Sequence, residues 1–263
     1  MNSSTLLIEA RYGDLIFYLR KGIISDIWAF EGLLFADEYY PIKLEENDVV
    51  LDVGANIGIY TIFCAARVHQ VISIEPEPGN FVILSENVKT NGLSNVRLLN
   101  YAVSDKSENV GFDSTGATAK ITSNGKVSSK AETLDTLIKM TGSPKITVLK
   151  MDIEGYEVKA LSSLSDFQSI REIIVETHNR ELTTLTTQIL SQQGFLVKDV
   201  SRVKRKKVIK NVLLHPKSFL NVEKANDYLT IKGVLSHILG NGPSVVSADN
   251  PNSDQRILYG RRV

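Results

Sequence analysis

Acids recur at the ends of apolar runs in this chain, and two of them bracket a turn built on glycine. Val49-Val50-Leu51-Asp52-Val53 carries Asp52, and Gly54-Ala55-Asn56-Ile57-Gly58 follows it directly. A second run, Val71-Ile72-Ser73-Ile74, ends at Glu75 and Pro76. A third, Ile146 to Met151, leads into Asp152, Glu154, Gly155 and Glu157, and a fourth, Arg171 to Glu176, into His178. A carboxylate two positions before a glycine turn repels a diphosphate and attracts an ammonium. An acid at the tip of the next strand, roughly 20 residues past the glycines, accepts hydrogen bonds from ribose hydroxyls. Asp152 and Glu154 would place a cofactor and an acceptor at the same edge. His178 can take a proton from a hydroxyl near neutral pH, with Glu176 in reserve.

Such groups meet only if the runs are neighbouring strands. Val49 to Val53 has branched residues on both faces, as a central parallel strand covered by helices requires. Ile59, Ile62, Phe63 and Ala66 then fall on one face of a helix. Strand, glycine turn, helix, strand and acid form the unit that presents a nucleotide-like ligand at the carboxyl edge of an open sheet. Gly54 and Gly58 would let the backbone pass close to that ligand. The third strand, Val96 to Val103, would bring Tyr101, Ala102 and Val103 against an adenine ring. A dinucleotide loop would read G-x-G-x-x-G, but Asn56 stands between the glycines, and the chain has no G-x-x-x-x-G-K-[ST] phosphate loop. S-adenosylmethionine has no phosphate and carries both an ammonium and a sulfonium, so it suits these charges. The residues expected to hold it are Asp52, Gly54, Ala55, Asn56, Gly58, Glu75, Pro76, Ala102, Val103 and Asp152.

The remaining elements follow from periodicity and turn chemistry. Leu6 to Ala10 and Leu15 to Leu19 flank Tyr12-Gly13-Asp14 as a hairpin. Ser25-Asp26 would cap a helix from Ile27 to Phe35, giving a 1–45 cap that could lie over the crevice as a lid, with Tyr40 within reach of the cofactor. Further helices are expected at Gly79 to Thr90, Glu132 to Met140 and Glu181 to Gln193, with an exposed ribbon and loop from Ser104 to Lys130 between the first two. Phe195 to Val200 is the sixth strand and Arg256 to Tyr259 the last. Between those strands lie a basic run (Arg202, Lys204, Arg205, Lys206, Lys207, Lys210), a helical insert at 217–240 and a loop from Gly240 to Asp254. The run suits a charged sheet edge, or an anionic substrate such as a phosphorylated sugar, a lipid headgroup or an RNA backbone. The insert is a candidate for acceptor specificity or a homodimer contact.

Composition removes several function classes. Basic and acidic residues both number 30, so no global field argues for nucleic acid or a membrane surface. Cys64 is the single cysteine, which excludes an internal disulfide or a cysteine metal cluster, and its apolar helix suits a small buried hydrophobe. No run reaches the ~18 apolar residues of a membrane span, and the N-terminus lacks a signal-peptide pattern, so a cytoplasmic protein is expected.

With these residues in view, the chain resembles the FkbM family of class I S-adenosylmethionine-dependent methyltransferases. The stretches that carry the likeness are Val50-Leu51-Asp52-Val53-Gly54-Ala55-Asn56-Ile57-Gly58, Ile74-Glu75-Pro76, Asn100 to Asp105, Glu132 to Asp135, Lys150 to Glu157, and Ile174 to His178. The resemblance implies a doubly wound, mostly parallel seven-stranded sheet over 46–263, ordered 3-2-1-4-5-7-6 with the last strand antiparallel. It also implies O-methylation of a hydroxyl on a sugar, lipid or secondary metabolite. The catalytic candidates are then Asp152, Glu154 and His178. Asp152, Glu176 and His178 could instead ligate a divalent cation that binds the acceptor; the adopted reading carries no metal, because strand-end acids are frequent without one. Three alternatives stand beside it. An RNA methyltransferase would use the basic run but lacks an Asn/Asp-Pro-Pro-Tyr/Phe segment at the fourth strand. A dehydrogenase lacks its middle glycine. A non-catalytic scaffold would have no need of Asp52, Gly54, Gly58, Glu75 and Asp152 together.

Overall fold

The computed structural model describes residues 6–34, 39, 41–112, 121–122, 127–142, 145–201 and 254–262. The expectations for Tyr40, the basic run, the 217–240 insert and nearly all of the 240–254 loop lie outside them. In chain order the elements are β1 (Leu7–Tyr12), β2 (Leu15–Arg20), α1 (Ile24–Leu34), β3 (Val49–Val53), α2 (Ile59–Ala65), β4 (Gln70–Ile74), α3 (Pro78–Thr90), β5 (Val96–Leu99), β6 (Ala102–Val103), β7 (Glu108–Phe112), β8 (Ile121–Thr122), β9 (Val127–Glu132), α4 (Leu134–Met140), β10 (Val148–Met151), α5 (Glu157–Ser162), β11 (Glu172–Thr177), α6 (Arg180–Gln192), β12 (Phe195–Asp199) and β13 (Arg256–Arg262).

Seven strands form one sheet in the order β12-β13-β11-β10-β3-β4-β5, which is the 3-2-1-4-5-7-6 arrangement expected. β13 runs antiparallel to both β11 and β12, while β10, β3, β4 and β5 pair in parallel. Every residue of β3, β10 and β11 is buried, because helices cover both faces. On one face Val50, Val71 and Val148 pack with α2, α3, α1 and the hairpin, through residues such as Ile62, Leu84, Phe30 and Phe17. On the other, Leu51, Ile72, Leu149 and Met151 pack with α4, α5 and α6 through Leu134, Leu161 and Leu190.

Three local expectations change. The third strand is interrupted at Asn100, whose Nδ2 donates to the carbonyls of Glu75 (2.8 Å) and Pro76 (3.2 Å). Its continuation, β6, pairs with β9 in a separate four-stranded sheet, β6-β9-β7-β8, to which the described part of the expected ribbon belongs. The helix expected from Glu132 starts at Leu134, capped by Thr133, because Glu132 is still a strand residue opposite Val103. Asp26 does not cap α1. It lies inside the helix, fully buried, and accepts from Arg20 Nε (2.8 Å), Arg20 Nη2 (2.7 Å) and the Arg20 amide (2.9 Å). No described residue of the hairpin or α1 lines the crevice. The side chains of Asn87 on α3 and of Asn91 just past its end bond the β2 backbone at Tyr18 and Ile16, which fixes the hairpin to the helical layer.

Candidate active site

The carboxyl ends of β3, β4 and β10, with β6 and the loop after β10, enclose a crevice of about 650 Å³ including its open mouth. Of the residues expected to face a cofactor, Gly54, Asn56, Glu75, Pro76, Ala102, Val103 and Asp152 line it, and Glu154 joins them. Tyr101 and Ile74 add apolar wall beside Ala102 and Val103. Asp52, Ala55 and Gly58 do not line it, and neither does His178.

Asp52 lies outside this lining. It stands opposite Lys150 in the β3–β10 register, so both side chains leave the same face of the sheet. That face is covered by α2. Lys150 Nζ lies 3.1 Å from Asp52 Oδ1 and donates to the Gly54 carbonyl at 2.7 Å. Asp52 Oδ2 accepts from Thr61 Oγ1 at 2.7 Å, and Thr61 meets Ser73 Oγ at 2.8 Å. The carboxylate therefore points beneath the glycine turn, not into the crevice. Burial works against the Lys150 charge, but Asp52 and Asp152 outweigh it and raise its pKa, so it stays an ammonium.

At the two glycines of the turn a side chain would meet the protein itself. A Cβ on Gly54 would sit 1.8 Å from the Asp152 carbonyl oxygen, and one on Gly58 would sit 2.5 Å from Leu84 Cδ1. Both positions have positive φ, 78° and 89°. The close approaches are to the protein itself: to the end of β10 at Gly54, and to α3 at Gly58.

Glu75 is held as a ribose acceptor would be. Its Oε2 accepts from the Asn56 amide at 2.8 Å, and its Oε1 accepts from the Glu77 amide (2.9 Å) and Asn80 Nδ2 (3.2 Å). Burial pushes its pKa up to about 7 in spite of those three donors. Asn56 Oδ1 and Asn80 Oδ1 are buried without a hydrogen-bond partner, and both residues line the crevice. Buried acceptors are normally satisfied, so these two mark where a ligand's donors would fit.

At the other end Asp152, Glu154 and His178 converge. His178 Nε2 lies 3.6 Å from Asp152 Oδ1 and 3.4 Å from Glu154 Oε2. Its Nδ1 lies 3.1 Å from Glu157 Oε1, which also accepts the Gly155 amide at 2.9 Å. Glu154 has the left-handed φ of 53°, uncommon for a residue with a Cβ. Burial opposes a charge on the His178 ring, but the Glu154 and Glu157 carboxylates and the Asp152 charge override it and push its pKa up to about 11. In this arrangement the ring is an imidazolium held between acids. Burial raises the Asp152 carboxyl, against the pull of Lys150 and His178. Glu176 does not join the cluster as its reserve; its Oε1 accepts from Gln255 Nε2.

Sequence reasoning missed Asn80, Ile153 and Tyr156 in the lining, and Lys150 beneath it. Lys150 was open to inference, since a lysine inside an apolar strand needs a buried counter-charge. Asn80 had no signal, because only the α3 cap geometry turns it toward Glu75. Cys64 is buried and its thiol is pushed up by burial, as a small core residue should be.

Residues 52–197 match the model of the methyltransferase FkbM domain. The chain is 30% identical over 177 residues to the hexuronic acid methyltransferase AglP of Haloferax volcanii, covering 64% of this chain and 73% of that one. It is 24% identical over 186 residues to methyltransferase sdnD of Sordaria araneosa, covering 55% and 72% of the two chains. Among solved structures it is similar to methyltransferase FkbM from Methylobacillus flagellatus KT, with a TM-score of 0.46 and 19% identity, covering 60% of this chain. It spans 41% of that longer chain.

Proposed function

The chain belongs to the FkbM methyltransferase family, and from that premise we propose that it transfers a methyl group from S-adenosylmethionine to a sugar hydroxyl. One observation carries the reading. The crevice is lined by three carboxylates, Glu75, Asp152 and Glu154, and by no lysine or arginine among the described residues. That field suits a cationic ligand and opposes a phosphate-bearing one. Bound there, S-adenosylmethionine would supply an electrophilic methyl group on a sulfonium.

The chain's own residues supply position and proton acceptance. Glu75 takes the ribose hydroxyls, the Asn56 and Asn80 side-chain oxygens accept further donors, and Tyr101, Ala102 and Val103 flank the adenine. Asp152 and Glu154 orient the acceptor hydroxyl at the methyl end and take its proton, which is mostly a matter of holding reacting atoms in line. His178 keeps those two carboxylates together, and Glu157 keeps His178. The sugar acceptor is supported by the name of the Haloferax relative, a hexuronic acid methyltransferase.

The first test is calorimetric titration with S-adenosylmethionine and, separately, with NAD, followed by incubation with a hexuronic acid glycoside. Binding of the first ligand alone is expected, weakened about ten-fold or more in Glu75→Ala through lost charged hydrogen bonds. The product should be an alkali-stable methyl ether; an alkali-labile methyl ester would move the transfer to the sugar carboxylate. Binding of NAD in place of the first ligand would sink the reading.

A further inference from the structure

We infer that Asp152, Glu154 and His178 form a binding site for one divalent cation of the oxygen-preferring class represented by Mn²⁺ and Mg²⁺. One ligand-capable atom from each residue can be chosen so that all lie within 4.8 Å of one another. His178 Nε2 is already 3.4 Å from Glu154 Oε2 and 3.6 Å from Asp152 Oδ1. Bonds of about 2.1 Å at right angles set neighbouring ligand atoms about 3 Å apart, so a contraction of a few tenths of an ångström brings both pairs to that spacing.

A second observation is independent of the acids. His178 Nε2 is buried and has no hydrogen-bond partner. It turns that nitrogen to two carboxylates at 3.4 and 3.6 Å, longer than a good hydrogen bond. The other nitrogen is fixed: Nδ1 meets Glu157 Oε1 at 3.1 Å, and the Glu157 side chain is 0% exposed. A carboxylate that holds the far nitrogen sets the ring's orientation and raises its basicity as a ligand.

The donor set names the class of ion. Two carboxylates and one imidazole, with no thiol, suit a hard or borderline cation over a soft one. Glu154 takes the place that sequence reasoning gave to Glu176, because the turn after β10 brings its side chain back toward His178. On binding, the Nε2 proton leaves to solvent and the cation takes its position. Three protein ligands leave coordination positions for water or for two oxygens of an acceptor, and an ion there would lower the pKa of a bound hydroxyl. That last role rests on the methyl-transfer reading, whereas the cation site stands on its own geometry.

The test is titration of the full chain, stripped with a chelator and dialysed, with MnCl₂, following free Mn²⁺ by its electron paramagnetic resonance signal. Saturable uptake of one ion per chain is expected. His178→Ala and Glu154→Gln should abolish it, and Glu157→Gln should weaken it by about 10–100-fold as the loss of an orienting partner. Circular dichroism checks that each variant is folded, and either ligand variant suffices if the other fails. No saturable uptake by the wild type, or uptake unchanged in a folded ligand variant, overturns the site. S-adenosylmethionine is titrated separately into the metal-free wild type. Binding of that ligand without Mn²⁺ uptake removes the cation site alone, and Mn²⁺ uptake without it removes the methyl-transfer reading alone.

Discussion

Two clusters of carboxylate and cation meet near the carboxyl edge of the central strands, and they are built from nearly the same residue types. In the first, the Asp52 side chain is 0% exposed and Lys150 6%, and the ammonium, the lower carboxylate oxygen, Thr61 and Ser73 all find partners within the protein. In the second, Asp152 is 31% exposed, Glu154 18% and His178 12%, and the imidazole keeps a nitrogen without a hydrogen bond. The first turns its polar groups on one another and on the glycine turn, outside the crevice lining. The second opens to the crevice through Asp152 and Glu154. The difference shows that an acid near a cofactor turn is not thereby a cofactor ligand; what decides is whether a ligand can reach it.

The comparison breaks most visibly at Lys150. Removing one partner of a buried ion pair leaves the other charge uncompensated, so Lys150→Met should cost about 3–5 kcal/mol in urea unfolding. A loss below about 1 kcal/mol, the size of an ordinary substitution, would mean that the pair is not what holds the turn. The opposite pattern is expected at Asp152→Asn. Its turnover should fall about 10²–10⁴-fold, the contribution of a positioned proton-transfer group, while its urea midpoint stays near that of the wild type. A large stability loss without a comparable fall in turnover would place Asp152 in the scaffold with Asp52.

Glu75 sharpens the comparison through pH and should give the smallest effect. The folded chain keeps this carboxyl protonated up to about 7, against an ordinary value of 4.5. Across that window the folded state binds more protons than the unfolded one, so the Glu75 contribution to stability falls as pH rises. Melting temperatures measured from pH 4.5 to 7 should therefore show a shallower downward slope in Glu75→Gln, and equal slopes would remove Glu75 as the cause. S-adenosylmethionine binding should tighten as pH rises through the same window, because the charged form is the better acceptor for ribose hydroxyls.

Much of the frame was legible because a strand buried on both faces must be an uninterrupted apolar run. Val49 to Val53 and Ile146 to Met151 read directly as central strands, and their order followed from the family resemblance. The acids Glu75, Asp152 and Glu154 were legible as strand-end groups. What could not be read locally depends on partners far along the chain. Asp52 faces Lys150 only because β3 and β10 are in register. Gly58 is fixed by Leu84. Asp26 looks like a cap from its neighbours, but Arg20 claims it. The break at Asn100 exists because its side chain ties the tip of β4. Glu157, which follows the same run as Asp152 and Glu154, is a buried partner of His178.

The contact at Gly54 has an evolutionary consequence. With the Asp152 carbonyl filling the space where a side chain would begin, the turn and the acidic loop, far apart in sequence, are one mechanical part. Neither can be exchanged between relatives as a separate module. A chimera that takes the turn from one parent and the acidic loop from another inherits a mismatch unless both come together, so variation in acceptor preference has to be sought in segments that do not touch this joint.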